Sequence, residues 1–142
     1  DDLRGEADDR SIGLKQTGAP HVLISADREQ ITVVVKALCK NAFESIRKNG
    51  TVEVRLDESA THAFFHVIDD GPGIPEEVRP HLFDPYYSAR QAGRGLGLGL
   101  SKAWRIIVSN HGGTIDVGTT RDGKTMLSVG LKKGGLDGGS RE

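Results

Sequence analysis

Sulfur and aromatic side chains are scarce in this chain: one cysteine, one methionine, one tryptophan, two tyrosines and four phenylalanines among 142 residues. A single cysteine rules out an intramolecular disulfide framework and suits a reducing compartment. Cys39 falls on the apolar side of a helical pattern, where a thiol acts as buried filler rather than as a nucleophile. An excess of one charge is also lacking. The 19 Lys and Arg against 20 Asp and Glu leave a net charge of −1, which gives no electrostatic footprint for bulk nucleic-acid binding. No apolar run approaches the roughly 18 residues that a membrane span needs, and no signal peptide opens the chain. Because it begins at Asp1 rather than Met, the sequence reads as a piece of a longer protein. A cytoplasmic location is expected, with any membrane anchor elsewhere in the parent.

Glycine, by contrast, is abundant. The 19 glycines cluster, which points to loops with special backbone geometry. A chain of this length is long enough for one domain with a real core and too short for two.

Residues 1–10 are acidic, polar and aperiodic and read as a flexible lead-in; residues 134–142 read as a frayed, glycine-rich tail. Between them, 11–133 form the domain. Short strands are expected over 11–16 and 21–25. Asp27, with Gln30 three residues on, resembles a capping box for a helix running to about Lys48, stopped by Asn49-Gly50. Its apolar stripe is Ile31, Val35, Leu38, Ala42 and Ile46, broadened by Val34, Cys39 and Phe43. Strands follow over 51–56 and 63–68, then an irregular stretch with a short helix near 76–82. A helix over 98–110 ends at His111-Gly112-Gly113, and a strand pair over 114–119 and 124–131 closes the domain. Hairpins outnumber βαβ crossovers, so the expected class is α+β, a mixed sheet with helices on one face.

Three constellations carry chemistry. Asp69 ends an apolar strand directly before Asp70-Gly71-Pro72-Gly73-Ile74. A carboxylate on a rigid strand end can accept a ligand N–H while the glycines let the ligand lie against bare backbone. Asn41 stands at the margin of the first helix's apolar stripe, with Ala37, Glu44 and Lys48 toward solvent. Its amide oxygen can fill one place in the oxygen shell of Mg²⁺. The run Gly93-Arg94-Gly95-Leu96-Gly97-Leu98-Gly99-Leu100 opens into a helix, and glycine N–H groups before a helix N-terminus form a phosphate cradle. It matches neither the P-loop nor the Rossmann fingerprint. Residues 82–90 carry an aromatic patch that reads as a lid, and Arg90 and Arg94 can reach terminal phosphate oxygens. Trp104 is expected in the core. The five histidines show no metal-ligand spacing, and no Ser/His/Asp arrangement stands out.

Taken in order, Lys40-Asn41-Ala42, Asp69 to Ile74, and Gly95 to Leu100 before a helix ending in His-Gly-Gly resemble the catalytic ATP-binding domain of bacterial two-component sensor histidine kinases. That family shares a superfamily with gyrase, Hsp90 and MutL, and the likeness covers residues 10–133. It implies the Bergerat fold, a two-layer α/β sandwich with the nucleotide between helices and sheet under an ATP lid. By position, Asn41 resembles the Mg²⁺-binding asparagine and Asp69 the aspartate that binds the adenine amino group. Gly71, Gly73 and Ile74 would shape the adenine pocket, and Phe83, Tyr86 and Tyr87 match the aromatic box of the lid. The run from Gly93 through Leu96, Gly97, Leu98 and Gly99 spans the phosphate-facing box, its register left open by the extra Gly-Leu repeat. Thr125 resembles a threonine near adenine, with Lys124 replacing a glycine.

Two departures shape the expected chemistry. Hydrolytic relatives carry a glutamate where this chain has Ala37, which argues against intrinsic ATPase activity. Many sensor kinases carry a lysine where it has Glu44; the glutamate resembles the nitrogen-regulator-like subset and leaves phosphate neutralisation to Mg²⁺, Lys40, Lys48, Arg90 or Arg94. No histidine lies in a phosphoacceptor setting, so no catalytic side chain is assigned in this chain. The resemblance implies a monomeric domain that binds Mg-ATP and donates the γ-phosphoryl to a histidine on a separate dimerisation domain, reaching a response regulator only indirectly. Alternatives are a serine kinase like the anti-sigma factors or a degenerate nucleotide-binding regulatory module. The aromatic segment beginning Leu82-Phe83 favours the histidine kinase.

Overall fold

The computed structural model describes residues 2–9, 11–19, 28–46, 49–74, 76–77, 79–84 and 97–133. Among the described residues five strands form one sheet: β1 (Gly13–Gly18), β2 (Thr51–Glu58), β3 (His62–Asp69), β4 (Thr114–Thr119) and β5 (Thr125–Lys132), in the order β1-β2-β3-β5-β4. β1 and β2 are parallel, and the other three pairings are antiparallel, so the sheet is mixed. The helices among the described residues are α1 (Asp2–Asp9), α2 (Arg28–Ile46) and α3 (Gly97–Trp104), the last continuing as a π-helical stretch, Arg105–Asn110.

Alternation along the strands decides which face carries the helices. Val52 and Val67, with Leu127, Val129 and Ile115, point to one face and are buried there together with Val34, Leu38, Ala42 and Phe43 of α2. The predicted α2 stripe is therefore the core stripe; Ile31, Val35 and Ile46 are its partly buried margin. Burial pushes the Cys39 thiol up to about 12, which makes it the inert filler expected of it.

Several expectations are corrected. The lead-in contains α1, whose Ala7 is fully buried and whose Leu3 packs on the core. Ser11 takes φ +57° after α1, so β1 starts at Gly13 rather than at residue 11. Helix α3 begins at Gly97, one residue before the expected start at Leu98, so Gly97 joins Gly99 in its first turn. Trp104 is 41% exposed rather than buried. Leu100, Ala103 and Ile107 hold the buried stripe, and Trp104 falls about 100° round the helix from Ala103. In the expected helix near 76–82 only the 3₁₀ turn Arg79–His81 is found among the described residues. The expected strand over 21–25, Asp27 and the tail lie outside them.

The helix stop at His111 behaves as read. Its Nδ1 lies 2.8 Å from the Ile106 carbonyl oxygen, and the Gly112 and Gly113 amides donate to Val108 and Ile107 at 3.2 and 2.8 Å. These contacts satisfy carbonyls that a helix end leaves unpaired.

Candidate functional site

Asp69 is the last residue of β3, the central strand, and only 2% of it is exposed. Val52 of β2 and Thr125 of β5 are its register partners, so the carboxylate is held between two paired strands on the helix-covered face. Its Oδ1 accepts the Gly71 amide at 2.9 Å, which folds the following turn back onto the strand end. A carboxylate offers about four lone-pair sites, enough to accept both this amide and a ligand N–H.

The turn then passes beside Thr125, itself buried. Gly73 has φ +92°, which would strain any L side chain, and a Cβ there would lie in ordinary contact with the Thr125 hydroxyl at 3.8 Å. Ile74 packs against the core. Arg79 Nη2 donates to Thr119 Oγ1 at 2.7 Å, and Thr119 pairs with Thr125 in register, so the stretch after Ile74 is tied to the same end of the sheet. Asp69, Gly71 and Gly73 are thus brought beside Thr125, from the far end of the sequence, at one end of the sheet.

Asn41 is deeper than its sequence position suggested, at 2% exposed. It follows Val34 and Leu38 at helical spacing, so it shares the buried stripe of the helix that packs on β3. Among the described residues no three His, Cys, Asp or Glu side chains stand together to hold a metal. An amide oxygen as sole protein donor fits Mg²⁺, which keeps several waters and takes the remaining oxygens from phosphates.

Gly97, Leu98, Gly99 and Leu100 form the first turn of α3, where four backbone N–H groups have no intrahelical acceptor. Leu100 is buried and anchors the turn. That arrangement leaves amide donors and the positive end of a helix dipole for an anion. Lys48, Tyr86, Tyr87, Arg90, Gly93, Arg94, Gly95 and Leu96 lie outside the described residues.

Sequence reasoning missed one cluster. On the sheet face opposite the helices, His66 Nδ1 lies 2.8 Å from Ser128 Oγ and its Nε2 lies 3.4 Å from Asp57 Oδ2. The ring also stacks on Phe64. The trio has hydrolase-like membership, but β3 and β5 are paired along their length there, which gives no free N–H pair to stabilise an oxyanion. Its consequence is for stability. Burial holds the His66 imidazole below its ordinary range, with Asp57 opposing and Arg55 adding to the shift. The folded protein therefore takes up this proton less readily than the unfolded chain. Stability should be full above the ordinary value of about 6.5 and fall as the pH drops from there to the folded pKa. In urea melts between about pH 7 and pH 5.5 the wild type should lose more stability than His66→Gln; equal losses would contradict this.

The profile of the histidine kinase-, DNA gyrase B- and HSP90-like ATPases matches residues 26–135. The C4-dicarboxylate transport sensor protein DctB of Rhizobium meliloti is 40% identical over 109 residues, covering 75% of this chain and 17% of that protein. The sensory histidine kinase/phosphatase NtrB of Rhodobacter capsulatus is 34% identical over 118 residues, covering 74% of this chain and 32% of its own length. The chain thus spans under a third of these relatives. A nucleotide-free catalytic domain of the histidine kinase ThkA superposes with a TM-score of 0.80 at 26% identity, covering 92% of this chain and 84% of that one. ThkA in complex with the response regulator protein TrrA superposes at 0.77, also 26% identical, covering 92% and 37%. The mixed five-stranded sheet with its helices is therefore a Bergerat fold, and the chain belongs to the histidine kinase-, DNA gyrase B- and HSP90-like ATPase family.

Proposed function

We propose that this chain is the ATP-binding catalytic domain of a cytoplasmic sensor histidine kinase segment, which holds Mg-ATP and presents its γ-phosphoryl to a histidine on a separate dimerisation domain of the same parent. The observation that carries the reading is the buried Asp69 carboxylate at the strand end, with Gly71, Gly73 and Thr125 beside it. A buried acceptor there selects a ring bearing an exocyclic N–H donor, and Gly73 lets that ring lie against the chain. Thr125 adds a hydroxyl beside it.

From that end the nucleotide would extend toward α2 and the first turn of α3. Asn41 would hold Mg²⁺, which when bound neutralises phosphate charge and orients the β- and γ-phosphates. The amides of Gly97 to Leu100 would donate to phosphate oxygens at a helix N-terminus. Lys48, Tyr87, Arg90, Arg94, Gly95 and Leu96 complete the proposed set as phosphate or lid contacts. The chain's own contribution is positioning and charge neutralisation. In the transfer, the bond from the γ-phosphorus to its bridging oxygen breaks, ADP leaves, and a phosphorus–nitrogen bond forms on the acceptor imidazole. Ala37 offers no base to activate water, so hydrolysis is not the expected outcome.

Mixing the domain with Mg-ATP and a phosphoacceptor domain from its parent should label that domain's histidine in an acid-labile, base-stable form. Label on a serine, or none at all, would contradict the proposal. The response regulator is an indirect partner that receives the phosphoryl from the acceptor histidine.

A further inference from the structure

Two adjacent carboxylates close β3, and they face opposite ways. Asp69 is buried beneath the helices, whereas Asp70 is exposed and turns back across the sheet. Asp70 Oδ1 accepts the Thr51 amide at 2.9 Å, and the Asp70 amide donates to the Thr51 carbonyl at 3.3 Å. The pairing of β2 with β3 is thereby carried one residue past Val52 and Asp69.

The residues it grips form a tight junction. Asn49 takes φ +61° just after α2, and the Gly50 carbonyl accepts the Gly13 amide of β1 at 2.9 Å. A Cβ on Gly50 would lie 2.7 Å from Asp70 Oδ1 and 2.5 Å from Ile46 Cγ2, so the last turn of α2 and the Asp70 carboxylate meet across a position that only glycine can fill. The carboxylate thus ties the end of β3 to the start of β2, beside the junction where the C-terminal end of α2 and the start of β1 meet. Asn41 lies on that helix and Asp69 on that strand end.

We propose that Asp70 is a positioning residue for the nucleotide site: its hydrogen bond to Thr51 fixes the end of β3 against the α2–β2 junction, and so sets Asp69 in register with Asn41. The inference rests on the assignment of Asp69 to the nucleotide. The effect passes through an acceptor oxygen rather than through charge, since the partner is a neutral amide. Asp70→Asn keeps that oxygen and Asp70→Ala removes it.

The test is calorimetric titration of the 142-residue chain with Mg-ATP well below its melting temperature, alongside hydrogen exchange at the Thr51 amide. Asp70→Ala should bind about tenfold more weakly than wild type and exchange the Thr51 amide faster, with Asp70→Asn close to wild type in both. A purely structural role would lower the melting temperature and leave affinity unchanged, which would overturn the proposal. Equal weakening in Asp70→Asn and Asp70→Ala would overturn it too, because charge would then be the cause. Should Asp70→Ala fail to fold, Asp70→Glu, which moves the acceptor by one methylene, is expected to weaken binding in the same direction, and unchanged affinity there would overturn it. If the wild type itself does not bind Mg-ATP, it is the nucleotide assignment that fails.

Discussion

Asp69→Asn is expected to weaken Mg-ATP binding by about 10²-fold or more, with little change in the fold. The substitution keeps the size of the side chain and replaces one acceptor oxygen by an NH₂ donor. A hydrogen bond to a charged acceptor contributes roughly 1.5–3 kcal/mol, and every 1.4 kcal/mol is tenfold in affinity. The amide adds a repulsive term, because its NH₂ would face a ligand amino group that also donates. The Gly71 amide already claims Oδ1, so an asparagine that keeps the turn intact points its NH₂ toward the ligand side. Either orientation leaves one donor without an acceptor at a position only 2% exposed. Circular dichroism should match wild type while titration heats vanish. Retained affinity would place the adenine elsewhere.

Asn41→Ala should act at the other end of the site and on a different step. Removing the amide oxygen deletes the sole protein donor proposed for Mg²⁺, so the β- and γ-phosphates lose their fixed orientation. Transfer that depends on positioning should then fall by on the order of 10²-fold. Adenine contacts do not involve Asn41, so nucleotide affinity should be only partly reduced. The expected pattern is a large loss of Mg²⁺-dependent phosphotransfer to a supplied phosphoacceptor domain, with binding of a fluorescent adenine nucleotide largely preserved. Asn41→Asp should also impair transfer, since it adds a negative charge beside the phosphates. Unchanged transfer in either variant would refute the metal assignment. Taken with Asp69→Asn, the pair separates selection of the base from handling of the phosphates.

The sequence made some of this plain because the controlling forces are local. The α2 stripe, the break after Asp69 and the stop at His111 each follow from periodicity or from residues that fix backbone geometry. What it hid depends on distant partners. Helix α1 is short, polar and interrupted by Gly5, which costs about 1 kcal/mol in a helix interior; it is held by Ala7 and Leu3 against the core. Helix α3 starts one residue before the expected Leu98 although alternating glycines have poor helix propensity, because burial of Leu100 outweighs it. Trp104 was misplaced because hydrophobicity alone assigns a side to a residue that sits one step past the buried stripe. The contacts of His66 with Asp57 and Ser128, and of Asp70 with Thr51, join residues brought together by strand register, and no short window contains both partners.

Within the site, composition revealed which residue types were available and the fold decided their work. Of two neighbouring aspartates, the one at an inward position of β3 is buried under the helices, and the next, turned outward by strand alternation, is left to hold the backbone. Asn41 stands at the margin of the apolar stripe in the sequence and inside the buried stripe in the fold. The same alternation places Thr125 beside Asp69, although 56 positions separate them in the chain.

The central claim is that the Asp69 end reads adenine and the opposite end carries its phosphates through Mg²⁺. Calorimetric titration of the wild-type chain with ATP and with GTP, each in the presence and absence of Mg²⁺, tests it most directly. Saturable binding of Mg-ATP with a Kd at or below about 1 mM is predicted. Weaker binding is expected without the metal, and much weaker binding of GTP, whose ring presents an acceptor where adenine presents a donor. No binding of ATP, or equal binding of ATP and GTP, would contradict the account.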